Sequence, residues 1–191
     1  MRNSFPLLLL LIILIACKKE TPSHIAIVTE YYEAFNSSDF KRIHPLVADS
    51  ITIIEGDYVM PYSKESLHEQ FRWDSVFQPT YEIVEAKEEN DHVMVTVASS
   101  SIRYRFLEND PLTTKFRVSF ANDLITKLEV VDYVDPDWNI WQQKRDTLVK
   151  WVKDNQPALD GFVHDLSMNG ALNYVQAIEH YENMLKASDS I

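Results

Sequence analysis

The chain has 191 residues, of which 46% are hydrophobic and 12% aromatic, which is enough for one folded domain with a sizeable core. Its formal net charge of −11 argues against binding to nucleic acid and against electrostatic adhesion to anionic lipid. Three glycines and a single cysteine exclude glycine-rich phosphate-binding loops and an internal disulfide, and the sequence contains no HExxH motif and no Asp-rich calcium loop. We therefore expect neither a metal nor another cofactor.

The N-terminal segment combines a positive charge with a short apolar run. Arg2 lies in the leader, residues 5–16 are almost entirely apolar, and the small residue Ala16 precedes Cys17. A charged start, an apolar run and a small residue before the cut are typical of a secretory signal peptide. The run is shorter than the ~20 residues that a membrane-spanning helix needs.

Leu14-Ile15-Ala16-Cys17 resembles the lipobox of bacterial lipoproteins and departs from its commonest form only in Ile15. The resemblance implies cleavage before Cys17, a diacylglycerol on its thiol and acylation of the new N-terminus with a fatty acid such as palmitate. Residues 1–16 are then a lipoprotein signal peptide and residues 17–23 a lipidated tether. We expect a protein held by this anchor on a membrane of the bacterial cell envelope, outside the cytoplasm, with the outer membrane as the expected location. An ordinary secretory signal peptide would instead leave Cys17 as a free thiol in an oxidising compartment, which is uncommon.

The first predicted elements are helices. Apolar residues at helical spacing over 24–35 predict one helix, and Asp39 is placed to cap a short second one through Leu46. A strand is predicted over 50–54. Ser63 is placed to cap a third helix, in which the apolar side chains lie on one side.

The middle of the chain is rich in β-forming residues, and turns containing Asn and Asp separate its segments. The predicted β segments are 81–87, 93–106, 115–120 and 124–134. Their spacing predicts a meander of antiparallel hairpins. Three more helices are predicted after the meander, over about 136–153, 158–166 and from Gly170 to Lys186. This order predicts an α+β fold in which helices pack on one side of an antiparallel sheet.

Two segments resemble the NTF2-like superfamily, in its SnoaL-like branch. Residues 28–39 (VTEYYEAFNSSD) resemble the opening helix and turn, and residues 116–129 (FRVSFANDLITKLE) resemble the final hairpin, with Asn122-Asp123 where many members have a glycine. The resemblance implies a curved antiparallel sheet around a conical pocket that the N-terminal helices close. Residues 24–135 are then the NTF2-like domain, and residues 136–188 a helical C-terminal extension packed on it.

Members of this superfamily include isomerases, dehydratases and cyclases as well as proteins that bind only ligands or partners, so the fold does not decide the function. An enzyme of this type needs a carboxylate or histidine base in an apolar cavity and a group that stabilises a developing oxyanion. The candidates for the pocket or for catalysis are Tyr32, Glu55, Asp57, Tyr58, His68, Trp73, Arg103 and Arg105.

The same residue types also have ordinary structural interpretations. Tyr32 suits the core of a helix, Asp57 a polar turn, and His68 a solvated helix face. Arg103 and Arg105 would share one face of the predicted strand over 93–106, where they either receive an anionic ligand or pair with acidic side chains on the outside. Three tryptophans of the extension are either an aromatic ligand platform or, in the preferred interpretation, the means by which it docks; they are Trp138, Trp141 and Trp151.

The sequence shows no identifiable catalytic set, and Asp57 with His68 is the nearest counterpart of the cyclases' Asp/His pair. We therefore expect a pocket for a small, partly apolar molecule or a docking module for another envelope protein. The alternative is a cofactor-independent isomerase, lyase or hydrolase that uses Asp57, His68 or Tyr32. Whether the chain forms a homodimer is left open.

Overall fold

The computed structural model describes residues 22–188, so Cys17 and the predicted signal peptide lie outside the described residues. The helices are α1 (His24–Asn36), α2 (Phe40–Ile43), α3 (Lys64–Ser75), α4 (Ile102–Phe106), α5 (Trp138–Asn155) and α6 (Met168–Ser188), with a 3-10 helix over Pro157–Leu159. The strands are β1 (Val47–Glu55), β2 (Tyr58–Ser63), β3 (Thr80–Glu89), β4 (His92–Ser100), β5 (Leu112–Ala121) and β6 (Leu124–Val134). Within residues 22–188, no helix combines the length and apolar character needed to span a membrane.

Side-chain caps determine where several helices begin. Asp39 accepts a hydrogen bond from the Lys41 N–H at the start of α2, and Ser63 accepts one from the Ser66 N–H at the start of α3. Both caps confirm the sequence prediction, because a carboxylate or hydroxyl oxygen satisfies an N–H group that has no partner within the helix. Asp137 caps α5 in the same way.

The six strands form a single sheet in the order β2-β1-β6-β5-β4-β3. Four of its pairings are antiparallel, as predicted, whereas β1 and β6 pair in parallel, with Ile53 opposite Leu128. Strand β2 was not predicted from the sequence. That strand contains Pro61, which weakens a strand pattern, and it tolerates the proline because it lies at the edge of the sheet.

One apolar core, here called the sheet core, lies between α1, α3 and the sheet. Val93, Val95 and Val97 of β4 point into it at every second position, as the alternation in the sequence predicts. Leu67 and Phe71 of α3 enter the same core from the helical side. Periodic apolar residues therefore account for the packing of this half of the protein.

The predicted strand over 93–106 is wrong in its second half. β4 ends at Ser100, and Ser101 accepts a hydrogen bond from the Tyr104 N–H and thereby caps α4. The apolar residues alternate with arginines as they would in a strand, but the serine cap begins a helical turn at this point. Arg103 and Arg105 consequently do not share a sheet face: Arg103 turns towards the interior and Arg105 is exposed.

A second apolar core, here called the helical core, joins α5 and α6 to the ends of α3 and α4. Leu148 of α5 and Ile178 of α6 are buried in it, and Trp141, Trp151 and Tyr181 are partly buried against it. The residues that the rest of the chain contributes to it are Trp73, Phe77, Phe106 and Leu107. Residues 136–188 therefore pack on the preceding part of the chain through large apolar side chains.

The segment between α5 and α6 differs from its prediction as well. In place of a helix over 158–166, the structure has the short 3-10 helix Pro157–Leu159 followed by turns. These turns bring Asp165 against the start of α6, where a Cβ on Gly170 would lie 2.1 Å from the Asp165 carbonyl oxygen. Only glycine permits this close approach of two backbone segments.

Candidate functional site

A cavity of about 530 Å³ is lined by residues of both apolar cores. Its volume lies within the range of roughly 300–1,000 Å³ that is usual for small-molecule sites. Half of the residues around it are aromatic, and they come from α1, α3, α4, α5, β3, β5 and β6. They are Tyr31, Phe35, Phe71, Trp73, Tyr81, Tyr104, Phe116, Tyr133, Trp138 and Trp141.

Three of the candidate residues from the sequence analysis line this cavity. Glu55 lies at the end of β1, Trp73 on α3 and Arg103 on α4. Tyr32 is buried in the sheet core and lines an adjoining, smaller cavity of about 150 Å³, which shares most of its lining residues with the larger one. The Tyr32 hydroxyl has no hydrogen-bond partner in the described part of the chain. The cavity thus collects residues that lie far apart in the sequence.

The other four candidates lie on the surface and do not line the cavity. Asp57 and Tyr58 belong to the β1–β2 turn and the start of β2, where Tyr58 is 75% exposed. His68 lies on the outer side of α3, and its ring stacks on a neighbouring aromatic ring at 4.3 Å between centroids. Arg105 lies on the exposed side of α4. No hydrogen bond or ion pair joins Asp57 to His68, both of which lie within the described residues.

Asp74 places a carboxyl group inside the cavity. It follows Trp73 on α3, and one of its oxygens accepts a hydrogen bond from the Tyr81 hydroxyl. Burial raises the pKa of Asp74, although the Tyr81 hydrogen bond and the positive charge of Arg103 oppose the shift. Burial, together with the charge of Asp74, raises the pKa of Tyr81 well above its usual value. The pair forms one of the polar sites in the cavity wall.

Arg103 places a cation among aromatic rings. Its guanidinium carbon lies 5.0 Å, 5.1 Å and 5.2 Å from the ring centroids of Trp73, Phe77 and Tyr104. These distances are within the range at which an aromatic ring stabilises a cation. Within the described residues, its one hydrogen bond runs from Nη2 to the Tyr104 hydroxyl at 3.5 Å, and its Nε is buried without a partner there. Among residues 22–188, no carboxylate lies within ion-pair distance of this guanidinium.

Four aromatic rings extend from α4 across α5 to β6 along one side of the cavity. Tyr104 contacts Trp141, Trp141 contacts Trp138, and Trp138 contacts Tyr133, with centroid distances of 5.8 Å, 5.6 Å and 4.9 Å. Trp138 is 44% exposed and the Tyr133 hydroxyl donates to Glu55, so this end of the row lies towards solvent. The extension therefore supplies part of the cavity wall.

The two interpretations of the extension's tryptophans apply to different residues. Trp151 packs against Tyr181 at 5.4 Å between ring centroids, and it does not line the cavity. Trp138 and Trp141 line the cavity, and Trp141 also packs against the helical core. Helix α5 therefore both packs in the helical core and forms part of the cavity wall.

The sequence analysis missed Asp74, Tyr81, Tyr104 and Tyr133. A signal for Asp74 was present, because it follows Leu67 by seven residues and Phe71 by three, which places a carboxyl group on the apolar face of the helix. The three tyrosines carry no such signal, since a large aromatic side chain suits an apolar core equally well. Within residues 22–188, no group of three or more His, Cys, Asp or Glu side chains is arranged to hold a metal ion.

Solved structures to which the chain is similar include three bacterial proteins. IdmH from Streptomyces antibioticus, proposed to be a polyketide cyclase, matches with a TM-score of 0.50 and 14% identity over 65% of this chain and 99% of that chain. A protein from Kribbella flavida has a TM-score of 0.50 and 12% identity, with 63% and 92% covered. An NTF2-like protein from Cytophaga hutchinsonii has a TM-score of 0.49 and 14% identity, with 61% and 94% covered.

The two matches with a TM-score of 0.50 show the fold alone, at these low identities. The fold is the predicted one, an α+β fold of the NTF2-like type with a curved six-stranded sheet. No protein-family model matches the chain, and no curated protein matches it.

Proposed function

We propose that this protein, which has the NTF2-like fold, binds a small and partly apolar molecule in the cavity between its two apolar cores. The observation that carries the proposal is an aromatic wall around about 530 Å³, interrupted by a few polar groups. Small-molecule sites have this composition, because apolar walls supply most of the binding energy and a few polar groups fix the orientation of the ligand. The polar groups here include Asp74 with Tyr81, Glu55 with Tyr133, and Arg103, together with Gln70, Ser99 and Thr114.

The aromatic wall favours a ligand with a flat ring or rings. A ligand ring that packs against Trp138, Trp141 or Phe116 would gain about 0.5–1.5 kcal/mol per aromatic contact beyond the burial of its surface. The two tryptophans come from α5, which supports a role of the extension in forming the site.

The binding experiment is a fluorescence titration of the purified protein with N-phenyl-1-naphthylamine, a neutral fluorophore whose emission rises in apolar surroundings. Thr114 is buried on β5 and lines the cavity, so Thr114→Phe should fill part of it and lower the affinity at least about tenfold, which corresponds to 1.4 kcal/mol. Thr113 points to the other face of the same strand, and Thr113→Phe is the matched control. Equal affinities of the wild type and Thr114→Phe would contradict binding in this cavity.

A second candidate function is cofactor-independent catalysis. The observation that favours it is Asp74, a carboxyl group with a raised pKa that lies in an aromatic cavity and is hydrogen-bonded to Tyr81. A carboxyl group whose pKa is raised by burial suits general acid–base catalysis. The structure thereby favours Asp74 over Asp57, His68 and Tyr32 as the proton-transfer group.

Turnover assays on the ligands found by a thermal-shift screen separate the two functions. If the protein is an enzyme, Asp74→Asn should lower the rate by roughly 10²–10⁴-fold, whereas Asp57→Asn and His68→Gln should not. If the protein only binds, no ligand is converted, and Asp74→Asn should change the binding free energy by about 0.5–1.5 kcal/mol, the contribution of one hydrogen bond.

The location of the protein is part of the proposal: a bacterial cell envelope, with a lipid anchor on Cys17. Residues 1–17 support it through their charged leader, apolar run and lipobox-like end. One acyl chain anchors a protein only marginally, at about 0.8 kcal/mol per buried methylene, so the additional chains of bacterial lipoproteins are needed for stable attachment. α1 begins at His24, so a tether over 18–23 could extend at most roughly 20 Å from the anchor.

Mass spectrometry of the protein purified from a bacterial membrane fraction tests the anchor. The wild type should begin at Cys17 and carry the mass of the attached lipid. Cys17→Ala should carry no lipid and should remain uncleaved at this site. A wild-type protein without lipid, or a Cys17→Ala variant cut at the same bond, would contradict the proposal.

A further inference from the structure

The polar groups around Arg103 have more donors than acceptors. A guanidinium has five N–H donors, and the single hydrogen bond that Arg103 forms with residues 22–188 is the long one to Tyr104. Its Nε and the indole Nε1 of Trp73 are both buried without partners among the same residues. Buried donors in proteins almost always have a partner, because leaving them unpaired is unfavourable. These side chains therefore lack an acceptor.

The carboxyl groups of the cavity do not supply that acceptor. Asp74 accepts its hydrogen bond from Tyr81, and Glu55 accepts one from Tyr133 near the open end. Neither carboxylate lies within ion-pair distance of Arg103, although Asp74 is close enough for its charge to act on the guanidinium. Burial also raises the pKa of Asp74, and the charge of Arg103 opposes this shift.

The aromatic rings around Arg103 hold the cation at the wall of the cavity. Three rings lie within about 5 Å of the guanidinium and come from α3, the α3–β3 segment and α4. A guanidinium fixed in this way loses little freedom when it binds a planar group, and its N–H groups match the two oxygens of a carboxylate. A cationic ligand would be repelled, and a neutral carbonyl would form the weaker, uncharged hydrogen bond.

We propose that the cavity selects aromatic or alicyclic carboxylic acids, with the Arg103 guanidinium binding the carboxylate and the aromatic wall covering the ring. This selectivity rests on the binding function proposed above. It predicts that two ligands of the same shape but different charge bind with different affinities.

The experiment is isothermal titration calorimetry of the purified protein with 2-naphthoate and with its amide, 2-naphthamide. The wild type should bind the acid at least about tenfold more tightly, because a hydrogen bond to a charged group is stronger than a neutral one. In Arg103→Gln the ratio of the two affinities should fall to about one while the amide still binds. Arg103→Lys, which keeps the charge but not the fork, should give an intermediate ratio.

Arg105→Gln is the matched control, because Arg105 lies two residues away on the exposed side of the same helix. It should leave the ratio of affinities at the wild-type value. Unchanged binding of the amide to Arg103→Gln shows that the variant is folded and that its cavity is intact. If Arg103→Gln no longer binds the amide, Arg103→Lys takes its place in the comparison with the wild type.

The outcomes separate this selectivity from the binding function. If acid and amide bind the wild type equally, if Arg103→Gln keeps the preference, or if 2-naphthylmethylammonium binds best, the acid selectivity is wrong and the binding function stands. If neither naphthalene compound nor N-phenyl-1-naphthylamine binds the wild type, both are wrong. A preference for the acid that depends on Arg103 and not on Arg105 supports both the acid selectivity and the binding function.

Discussion

The sheet core and the helical core show two ways of burying apolar surface in one chain. The sheet core is built from strands and helices whose apolar residues repeat at regular spacing, as in Val93, Val95 and Val97. The helical core joins residues from α3, α4, α5 and α6, elements that lie far apart in the chain. Local periodicity describes the first core, whereas the second depends on how the elements pack.

α3 belongs to both cores, and this explains the position of the cavity. Leu67 and Phe71 pack in the sheet core, whereas Trp73 packs in the helical core. Asp74 follows directly and lies in the cavity that the two cores enclose. The extension is therefore a structural part of the candidate site, since without α5 the cavity loses Trp138 and Trp141.

Removal of the extension should have the largest effect on this arrangement. Truncation after Val134 exposes Phe77, Phe106 and Leu107, and each large apolar side chain contributes about 1.5–3 kcal/mol when buried. We expect the truncated protein to aggregate or to lose several kcal/mol of unfolding free energy, measured by urea denaturation. A soluble truncated protein with the melting temperature of the full chain would show that the helical core is dispensable.

A single substitution in the helical core should have the next largest effect. Leu148 is fully buried on α5, and Leu148→Ala should lower the unfolding free energy by about 2–5 kcal/mol through lost burial and the cavity it leaves. Leu172 on α6 is 50% exposed, and the matched Leu172→Ala should cost less than about 1 kcal/mol. Urea denaturation of both variants measures the difference, and equal losses would contradict the burial that distinguishes them.

The pH dependence of stability should report the burial of Asp74. Because its pKa is raised in the folded state, the folded protein holds this proton more tightly than the unfolded chain. Its contribution to stability is therefore fully present below about pH 4, near the ordinary pKa of Asp, and is lost as the pH rises through the raised pKa. Asp74→Asn should remove this loss, so the stability of the variant relative to the wild type should increase with pH.

Urea denaturation between pH 4 and pH 8 measures this difference in stability. Glu30 offers a control, because its pKa is shifted in the opposite direction. Arg42 forms a 2.7 Å ion pair with Glu30 and lowers the pKa of that carboxyl. The stabilisation by this pair is present above the ordinary pKa of Glu and is lost as the pH falls through the lowered value. The effect of Glu30→Gln should thus be constant from about pH 5 upwards. A relative stability of Asp74→Asn that stays constant or falls with pH would contradict its raised pKa.

The smallest expected effect concerns the hydroxyl of Tyr32. This group is buried without a hydrogen-bond partner in the part of the chain that the structure describes, so Tyr32→Phe should leave the unfolding free energy unchanged or raise it by up to about 1 kcal/mol. Tyr81→Phe is the contrasting variant, since it removes the hydrogen bond to Asp74 and should cost about 0.5–1.5 kcal/mol. Thermal unfolding compares the two, and a larger loss for Tyr32→Phe would show that its hydroxyl has a partner.

Much of the sheet core was predictable from the sequence. Helix α1, the caps at Asp39 and Ser63 and the hairpin at Asn122-Asp123 follow from local patterns that the structure confirms. The NTF2-like fold was implied by the resemblance of two segments to that superfamily, and the structure has it. Local backbone preferences and periodic burial determine these features, and both are properties of a few consecutive residues. Glu55, Trp73 and Arg103, which the sequence analysis named for their chemistry among eight candidates, line the cavity.

Tertiary structure alone decided the rest of the site. The alternation around Arg103 indicates a strand, yet the capping serine begins a helix there and turns the guanidinium inward. Asp74 meets Tyr81 and Trp138 meets Tyr133 only after strands and helices from distant parts of the chain have packed together. The sequence determined which segments form elements with apolar faces. The packing of those faces decided which polar groups share one cavity, because such contacts depend on distances in space and leave no periodic trace along the chain.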